Sequence, residues 1–334
     1  MPKNATQRKN LREERLSKKE NYMETKPFDD RDGVIWFNGE MVPWRDARVH
    51  ILTHALHYAS SVFEGERAYG GAIFKLTEHT ERLFMSAATL GFKLPYTTTE
   101  IDQACIEVCK ANGIVDGYVR PIAWRGSEMM GVSAQKSRIN VAIAAWPWPS
   151  YFSPEARMKG IRLLTSQWRR PAPNTAPVKA KAAGLYMICT LSKHAAEDKG
   201  YHDSLMLDWR GRVAEATGAN IFMSFGDGKL HTPTPDCFLD GITRRTVIGL
   251  AKLRQIEVVE RAIMPDELKK ATEIFLTGTA AEVTPVGEID GLTFKVGDIT
   301  RSMMEDYDRA VRSAGAKDAG KAAPAAPAKQ AARA

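Results

Sequence analysis

Short apolar runs alternate with polar positions along the chain, and two such runs near the start flank a turn. Residues 34–43 read Val-Ile-Trp-Phe-Asn-Gly-Glu-Met-Val-Pro, which places Asn38 and Gly39 between two apolar stretches. An Asn-Gly pair in this setting is a strong signal for a two-residue β-hairpin, because both residues tolerate positive φ. The pattern therefore predicts a hairpin at the start of the folded body.

Apolar residues then recur every three or four positions over residues 78–91 and 100–112, which predicts two helices. The second helix follows a threonine run and carries Glu100 and Asp102 in its first turn, as is typical of a helix start. Runs rich in β-branched and aromatic residues predict strands at 118–124 and 139–145. Cys105 and Cys109 lie four apart in the second helix, so we expect them to pack in the core.

A proline-rich segment, Trp-Pro-Trp-Pro-Ser-Tyr-Phe-Ser-Pro at residues 146–154, is the best domain boundary in the sequence. Proline resists both helices and central strands, so such a segment is typical of a linker. The sequence thus predicts a small α/β domain at 34–146, an interdomain loop at 147–158 and a large domain at 159–315.

In the second half of the chain, turns that contain glycine separate short runs typical of strands. A helix is predicted at 182–199, followed by strands at 204–208, 212–216, 220–225 and 229–233 that form an antiparallel meander. A helix at 243–254 and a strand at 273–277 complete the pattern. Because strand runs and helix runs are segregated, the predicted fold class is α+β with two domains.

Composition supports a globular protein but changes the interpretation of its charge. The chain has 334 residues, enough for two domains of roughly 150 residues. Its net charge is +7, of which residues 1–25 and 316–334 carry +3 each, leaving +1 for the body. Both ends, 1–33 and 316–334, lack the apolar residues needed for a core and are predicted to be disordered. A nucleic-acid-binding role through these basic ends remains a remote alternative, and no nucleic-acid partner is expected.

The cellular compartment of the protein is predicted from signals for secretion and membrane insertion. The basic N-terminal segment is not followed by an apolar stretch, which argues against a signal peptide, and no apolar run reaches the length of a membrane span. The four cysteines show no C-x-x-C spacing. We therefore expect reduced thiols in a cytoplasmic protein without a membrane partner.

Three histidines, His50, His54 and His57, share one face if their segment is helical. Such a face can bind a metal ion when other ligands complete the shell, and Glu64 lies seven residues further on. The histidines are embedded among apolar and small residues, and no second set of ligands follows. Structural histidines are thus favoured, and no metal is expected.

Two segments have the composition of a phosphate site. Residues 239–243, Leu-Asp-Gly-Ile-Thr, run into a predicted helix, and residues 277–281, Thr-Gly-Thr-Ala-Ala, follow a predicted strand. Free N–H groups and the positive end of the helix dipole suit a phosphate there, although the same pattern is compatible with a plain helix cap. The sequence has neither a Walker loop nor a Gly-x-Gly-x-x-Gly motif after a strand, which argues against a nucleotide cofactor.

A lysine and a glutamate are the remaining candidates for chemistry. Lys179 and Lys181 lie among small residues before a predicted helix, where burial of one amine would lower its pKa and favour nucleophilic use. Because the two lysines are two positions apart, an extended segment would place both on the same side. The pattern therefore does not show which of them is the buried one. Glu215 lies among small residues in a predicted central strand, so it requires a cationic partner, either a protonated cofactor ring or an arginine.

Six segments in chain order resemble motifs of the branched-chain amino acid aminotransferases, which are fold-type IV pyridoxal-phosphate enzymes. The segments are HALHYASSVFEG at 54–65, YVRP at 118–121, APNT at 172–175 with the following Lys181 and Tyr186, EATGAN at 215–220, LDGITR at 239–244 and TGTAAEVTPV at 277–286. The likeness extends in order from about residue 34 to about residue 307. It implies a two-domain fold with the cofactor lysine in the large domain.

The resemblance assigns pyridoxal 5′-phosphate and its binding residues. Lys181, rather than Lys179, matches the lysine that bonds covalently to the cofactor and transfers the proton at the substrate's α-carbon. Tyr186 matches the tyrosine that hydrogen-bonds the cofactor's phenolic oxygen, and Glu215 matches the acid that keeps the ring nitrogen protonated. The residues matching the phosphate site are Arg82, Ile242, Thr243 and Thr279.

The resemblance also implies substrate contacts. Tyr118 and Arg120 match the pair that binds carboxylates, with the arginine serving the side-chain carboxylate of glutamate. The amides of Thr279 and Ala280 match the site for the α-carboxylate. The residues matching the apolar pocket are Tyr58, Phe63, Val132, Trp148 and Tyr151.

The implied activity is reversible amino transfer between leucine, isoleucine or valine and 2-oxoglutarate by a ping-pong mechanism. The implied partners are branched-chain amino acids, glutamate and 2-oxo acids, and the expected assembly is a homodimer or a higher oligomer. D-amino acid and (R)-amine transaminases and aminodeoxychorismate lyase remain alternatives. Two positions depart from the family pattern, since Ala219 and Leu185 stand where a glutamate and an asparagine are common.

Overall fold

The computed structural model describes residues 26–148 and 158–319. The predicted hairpin is present as β1 (Val34–Phe37) and β2 (Glu40–Pro43), which pair antiparallel. Asn38 and Gly39 form its turn with φ values of 51° and 102°. These positive values explain why the turn requires Asn-Gly, since most other residues are strained in this region.

The first half of the chain builds one sheet around this hairpin. Its other strands are β3 (Ser61–Phe63), β4 (Glu66–Tyr69), β5 (Ala72–Ile73), β6 (Gly117–Arg125) and β7 (Ile139–Pro147). In the described residues this sheet has seven strands in the order β2-β1-β7-β6-β4-β5, with β3 also paired to β6. All of its pairs are antiparallel. The predicted strands at 118–124 and 139–145 are confirmed as its longest members.

Three helices accompany this sheet: α1 (His54–Tyr58), α2 (Leu76–Thr89) and α3 (Thr98–Ala111). One face of α2 and α3 packs on β6 and β7 in a single apolar core, which includes Leu83, Cys105, Val119 and Ile143. Cys109 belongs to the same core, so the predicted packing of both cysteines is confirmed. The two predicted helices are also confirmed, and each begins two residues earlier than the apolar pattern predicted.

The second half of the chain supplies nine strands and three helices within the described residues. The strands are β8 (Ile161–Arg170), β9 (Asp203–Asp208), β10 (Val213–Ala216), β11 (Asn220–Ser224), β12 (Leu230–Pro233), β13 (Val258–Arg261), β14 (Glu273–Gly278), β15 (Glu282–Ile289) and β16 (Leu292–Thr293). The helices are α4 (Met187–Glu197), α5 (Ile242–Leu253) and α6 (Asp298–Ala319). The predicted meander is confirmed, because β9, β10, β11 and β12 pair antiparallel in succession.

Six strands of this second sheet close into a ring. The order β10-β9-β8-β15-β14-β11 continues to β12 and β13, and β10 also pairs with β11. β8 pairs in parallel with both β9 and β15, which the meander pattern did not predict. A core of aliphatic side chains packs against this ring and includes Leu205, Ile221, Leu276 and Val286.

Helix α6 connects the two sheets. It contacts β14 and β15 of the ring and also β4 and β5 of the first sheet. Tyr307 of α6 packs with Phe74 at a ring-centroid distance of 5.9 Å, and Tyr69 of β4 lies in the same apolar cluster as Phe222 and Phe275 of the ring. The two sheets are thus joined by a shared apolar contact.

Three predictions about element limits are corrected by the structure. The predicted disorder of residues 1–33 does not extend to 26–33, because Phe28 packs on Trp146 and Arg45 pairs with Asp30 and Asp32. The predicted disorder of 316–334 does not hold for 316–319, where α6 continues, since alanine-rich sequence readily extends an existing helix. The predicted helix at 182–199 is a 3-10 helix at Ala183–Tyr186 followed by α4.

Candidate active site

A polar pocket lies where the first sheet meets the ring. Its walls come from α2, the end of β8, the 3-10 helix, the β10–β11 turn, the start of α5 and the end of β14. The lining residues are Arg82, Arg170, Lys181, Tyr186, Glu215, Thr217, Gly218, Ala219, Asn220, Leu239, Gly241, Ile242, Thr243, Thr277, Gly278 and Thr279. Of the residues assigned to cofactor binding by resemblance, all seven line this pocket.

Lys181 places its amine against aromatic groups. Its Nζ donates a hydrogen bond to Tyr186 Oη at 2.7 Å and lies 4.9 Å from the ring centroid of Phe63. Burial, with help from the nearby positive charge of Arg82, lowers the pKa of Lys181 to about 8. Lys179, in contrast, is exposed and lies outside this pocket. The structure therefore separates two lysines that the sequence pattern left equivalent.

Glu215 has a buried arginine as its cationic partner. The Nε of Arg170 lies 3.2 Å from Glu215 Oε1, and the Asn220 amide donates to Oε2 at 3.3 Å. Burial raises the pKa of Glu215 to about 7, although Arg170 and Lys181 oppose this shift. Of the two cationic partners predicted for Glu215, a cofactor ring or an arginine, the structure shows an arginine. Glu215 also lines the pocket that contains Lys181.

The opposite end of the pocket presents a set of hydrogen-bond donors. Helix α5 begins at Ile242 after Gly241, and none of the described side chains caps its first N–H groups. Thr277 Oγ1 is buried and has no hydrogen-bond partner among the described residues. Free amides at a helix start, a hydroxyl and the guanidinium of Arg82 form a donor set that suits a phosphate group.

Arg82 is held in place by Glu64, a residue that the sequence analysis weighed only as a metal ligand. Arg82 Nε and Nη2 donate to the two oxygens of Glu64 at 2.7 and 2.8 Å, and His79 Nδ1 lies 2.7 Å from Oε2. Glu64 is fully buried; burial alone would raise its pKa, but the charge of Arg82 holds the pKa well below its usual range. Burial lowers the pKa of His79, although its contact with the Glu64 carboxylate opposes this shift.

A second group of residues, on the first sheet, borders the pocket near Lys181. Arg120 Nη2 donates to Tyr118 Oη at 3.0 Å, and the guanidinium stacks 4.7 Å from the centroid of Phe63. Arg120 Nε is buried without a hydrogen-bond partner among the described residues. The Tyr118 ring also packs on Trp148 at 5.6 Å. Four residues assigned to substrate binding therefore form one cluster, with a guanidinium available to an anion.

Gly65 is required for this cluster. A Cβ at this position would lie 1.9 Å from Tyr118 Oη, so any larger residue would displace the tyrosine. Arg67, on the neighbouring strand, was missed by the sequence analysis. It is buried, it donates from Nη2 to the Trp148 carbonyl at 3.4 Å, and its Nε and Nη1 have no hydrogen-bond partner among the described residues.

Other residues assigned by resemblance lie apart from the pocket of this chain. Val132 is 84% exposed, and Tyr58 is exposed and donates to the Met130 carbonyl at 3.2 Å. Ala280 follows Thr279 in the turn after β14 and is half-buried. Tyr151 lies outside the described residues.

The three histidines considered for metal binding each contact different atoms. His54 is buried between Ser60 Oγ at 2.7 Å and the Gly131 carbonyl at 3.0 Å. His57 Nε2 lies 3.0 Å from the Ile51 carbonyl, and His50 Nδ1 accepts the Leu52 amide. These contacts support the interpretation of structural histidines.

The two departures from the family pattern have local explanations. Leu185 packs against the apolar core of the first sheet, where an amide side chain would be buried. Ala219 lies close to Gly278, because a Cβ on this glycine would be only 3.3 Å from that of Ala219. Both residues therefore fit tightly packed positions beside the pocket.

Comparison with known proteins identifies the family. The family model for class IV aminotransferases matches residues 61–289. The chain is 43% identical to the branched-chain-amino-acid aminotransferase of Pseudomonas aeruginosa, over 83% of this chain and 92% of the relative. The crystal structure of the Escherichia coli branched-chain amino acid aminotransferase superposes with a TM-score of 0.81 at 40% identity, covering 84% of this chain and 94% of the other.

A more distant crystal structure, solved with the cofactor bound, gives the same result. The branched-chain amino acid aminotransferase from Thermobaculum terrenum, in its PLP-containing holo-form, superposes with a TM-score of 0.78 at 31% identity, covering 85% of this chain and 96% of that chain. Among the helices of the described residues, none combines the length and the apolar composition of a membrane span. The family match covers most of both sheets and all the elements that line the pocket, and the chain therefore belongs to the class IV aminotransferases.

Proposed function

We propose that this protein is a branched-chain-amino-acid aminotransferase that transfers the amino group between leucine, isoleucine or valine and 2-oxoglutarate. The observation that carries the proposal is the placement of Lys181 Nζ in one pocket with Glu215 at its side and an uncapped helix start at its far end. The names of the relatives and their coverage of nearly the whole described chain support the substrate class.

The residues of the pocket fit pyridoxal 5′-phosphate, which class IV aminotransferases use. The unpartnered Thr277 Oγ1, the free amides at the start of α5 and Arg82 suit its phosphate. Glu215 suits its ring nitrogen, and Tyr186 Oη suits its phenolic oxygen. When bound, the cofactor supplies an electron sink for the negative charge that develops at the substrate's α-carbon.

The protein's own groups would then move and hold protons. Lys181, whose pKa is lowered to about 8, can exist as a neutral amine near neutral pH and so can take the proton from the α-carbon. Tyr186 holds that amine in place through its 2.7 Å hydrogen bond. The Arg170 guanidinium next to Glu215 favours the ionised carboxylate, which a protonated ring nitrogen requires.

The cluster of Phe63, Tyr118, Arg120 and Trp148 supports a site for two unlike substrates. Aromatic rings provide an apolar surface for a branched aliphatic side chain, and the free Nε of Arg120 provides a donor for the distal carboxylate of glutamate. The amides of Thr279 and Ala280 are the proposed site of the α-carboxylate. With two substrates using one site in turn, the proposed kinetics are ping-pong.

We also propose that the active protein is a homodimer in the cytoplasm. Val132 and Tyr58 are exposed in one chain although both match residues of the substrate pocket, which suits a site completed near a partner copy. The four cysteines are all buried thiols without disulfides, as is common in a reducing compartment. Most of the predicted interdomain loop at 147–158, including Tyr151, lies outside the described residues.

The function is tested by reduction and by a panel of amino donors. We expect the purified protein with pyridoxal phosphate to be yellow, and borohydride to fix the cofactor on Lys181, as found by peptide mass spectrometry. L-leucine, L-isoleucine and L-valine should turn over with 2-oxoglutarate far faster than D-alanine or an (R)-amine, and Lys181→Ala should abolish turnover. Preference for D-alanine or the (R)-amine, or full activity of Lys181→Ala, would contradict the proposal.

A further inference from the structure

The backbone of Lys181 lies outside regular secondary structure. Between the end of β8 at Arg170 and the 3-10 helix that begins at Ala183, the chain forms turns and one isolated bridge, Val62↔Ala182. A residue in such a segment has no ladder of backbone hydrogen bonds to fix it. Its position therefore depends on individual contacts with neighbouring elements.

Two hydrogen bonds supply those contacts from opposite sides. The Phe63 amide of β3 donates to the Lys181 carbonyl at 3.1 Å. The Lys181 amide donates to Ser86 Oγ of α2 at 3.0 Å. Ser86 is completely buried and is not among the described residues that line the pocket, so its hydroxyl acts on the pocket through the hydrogen bond to Lys181.

Ser86 lies one helical turn after Arg82 on α2. Residues four apart lie on the same face of a helix, so one face of α2 presents both the guanidinium at the anion end of the pocket and the acceptor for Lys181. Glu64 fixes that guanidinium with two hydrogen bonds. A single rigid helix thus sets the separation between the lysine and the anion site.

We propose that Ser86 is a positioning residue, which fixes the backbone of Lys181 so that its amine is held at a set distance from the anion site formed by Arg82 and the start of α5. The proposal rests on the proposed function, since the value of this distance depends on a cofactor that spans the pocket. Without the Ser86 hydroxyl, the part-buried Lys181 amide loses its acceptor, and we expect the segment to shift toward water to satisfy it.

A buried hydroxyl elsewhere on α2 provides a matched control. Thr80 is buried on the same helix, and its hydroxyl donates to Asp102 of α3, away from the pocket. Thr80→Val and Ser86→Ala each remove one buried hydroxyl and its hydrogen bond. Any effect of generally loosening α2 should appear in both variants, whereas an effect on Lys181 should appear only in Ser86→Ala.

The first measurement uses cofactor-free, full-length protein. Limited labelling with acetic anhydride over a range of pH, followed by mass spectrometry, reports the pKa of the Lys181 amine. We expect a wild-type pKa of about 8, a clearly higher value for Ser86→Ala as the amine gains water, and no change for Thr80→Val.

The second measurement uses protein loaded with pyridoxal phosphate. The pH titration of its visible absorption band should shift in Ser86→Ala, and kcat should fall about 10- to 100-fold with a smaller change in KM, because misplacement of a reacting group by about 1 Å has effects of that size. Thr80→Val should lower the unfolding temperature to a similar extent and leave both properties at wild-type values.

The outcomes separate this proposal from the proposed function. If wild-type Lys181 takes up no cofactor, the proposed function fails, while the labelling of cofactor-free protein still tests Ser86. Wild-type labelling and spectra in Ser86→Ala, or equal shifts in both variants, would overturn the positioning role. If Ser86→Ala does not fold, Ser86→Cys keeps nearly the same volume with a much weaker acceptor and should give the same shifts.

Discussion

Lys181 and Glu215 are two buried ionisable residues whose pKa values move toward each other. Burial lowers the pKa of Lys181 to about 8 and raises the pKa of Glu215 to about 7, because each charge loses its hydration. Arg170 counteracts the shift of Glu215, so its charge state depends on one arginine. At neutral pH, small changes at either residue therefore alter the charge in the pocket.

Arg120→Ala is predicted to impair glutamate more than leucine. The loss of a guanidinium–carboxylate interaction corresponds to about a 10- to 100-fold decrease in kcat/KM for glutamate. Leucine should lose less, since it loses only the packing of Arg120 on Phe63. Steady-state kinetics with both amino donors provide the measurement.

Arg125→Ala is the control for that prediction. Arg125 lies on the same strand but bonds carbonyl groups of Leu90, Gly91 and Ala134, outside the pocket. Its loss should affect both donors equally. Equal losses in Arg120→Ala as well would refute a role in distinguishing the two carboxylates.

Glu66→Gln is predicted to change how stability depends on pH. Glu66 is fully buried and has no ion-pair partner among the described residues, so burial, followed by repulsion from Glu64, raises its pKa well above the usual value. The folded protein then binds a proton that the unfolded chain releases above its pKa of about 4.3. Wild-type stability should consequently fall as pH rises from 5 to 7, by up to about 1.4 kcal/mol per pH unit from this residue.

Urea unfolding at pH 5 and pH 7 measures this effect as a difference between wild type and Glu66→Gln. The amide does not titrate, so the variant should gain stability relative to wild type at the higher pH. The raised pKa of Glu215 contributes to both proteins and cancels in the comparison. Parallel pH dependence of the two proteins would show that Glu66 is ionised when folded.

The residues of the site differ in how far the sequence predicts them. Lys181 and Glu215 are conspicuous because a lysine or an acid among small residues is unusual, and family resemblance assigns their roles. Arg170 and Ser86 carry no such local signal. Each acts through a partner far along the chain, as in the bond between Ser86 and Lys181, and contacts of that kind are set by tertiary packing rather than by residue spacing.

At the scale of elements, α2 is the helix that organises the first sheet around the pocket. Arg82 and Ser86 serve the pocket, while the hydroxyls of Thr77 and Thr80 both donate to Asp102 of α3. The site and the helix pair are therefore joined through one element. A change in the packing of α3 can therefore reach the pocket through α2, and α3 also packs on β6, the strand of Tyr118 and Arg120.

Thr97→Ala is predicted to destabilise α3 without changing catalysis. Thr97 Oγ1 accepts the Glu100 amide at 3.2 Å, and Glu100 Oε2 accepts the Thr97 amide at 2.6 Å, forming a capping box. Loss of an N-cap side chain costs about 1 kcal/mol. Urea unfolding should show that loss, and Thr99→Ala, at a neighbouring exposed threonine, should not; a fall in kcat for Thr97→Ala would contradict the separation of α3 from the pocket.

The pattern predicted the elements with a regular period but missed β8, as well as the strands β3, β4, β5, β13, β15 and β16 and the helix α6. Helices and strands with a regular period, such as α2, α3, β6 and β7, were predicted close to their observed limits. In β8 the alternation breaks down over residues 165–169, where its pairing with β9 shifts register and three successive residues are exposed. A strand with such an irregularity has no clear period, so its parallel pairing became visible only in the structure.

At the scale of the whole molecule, most of the net positive charge belongs to the two ends of the sequence. Six of the seven net positive charges belong to residues 1–25 and 316–334, and the body carries +1. The charges that serve the pocket are instead arranged as buried pairs, Arg82 with Glu64 and Arg170 with Glu215. The overall isoelectric point therefore gives no information about the chemistry of the pocket.

Removal of residues 1–25 and 320–334 is predicted to leave kcat/KM for leucine unchanged, because the described residues that line the pocket all lie between Arg82 and Thr279. Any binding to nucleic acid should be lost at the same time, since lysines and arginines support salt-dependent binding through the phosphate backbone. Kinetics and a DNA-binding titration at two salt concentrations test both statements. Loss of activity without loss of folding would contradict the assignment of the site to residues 26–319.

The ring of six strands has a consequence for the order of folding. One edge of β8 pairs with β15, where Ile161 lies opposite Val286. The ring therefore joins residues more than a hundred positions apart in the sequence. Contacts of such long range form slowly, because a long loop must first be ordered. During synthesis Lys181 is made before β14 (Glu273–Gly278), whose end lines the same pocket. The described pocket can therefore form only after more than four fifths of the chain has been made.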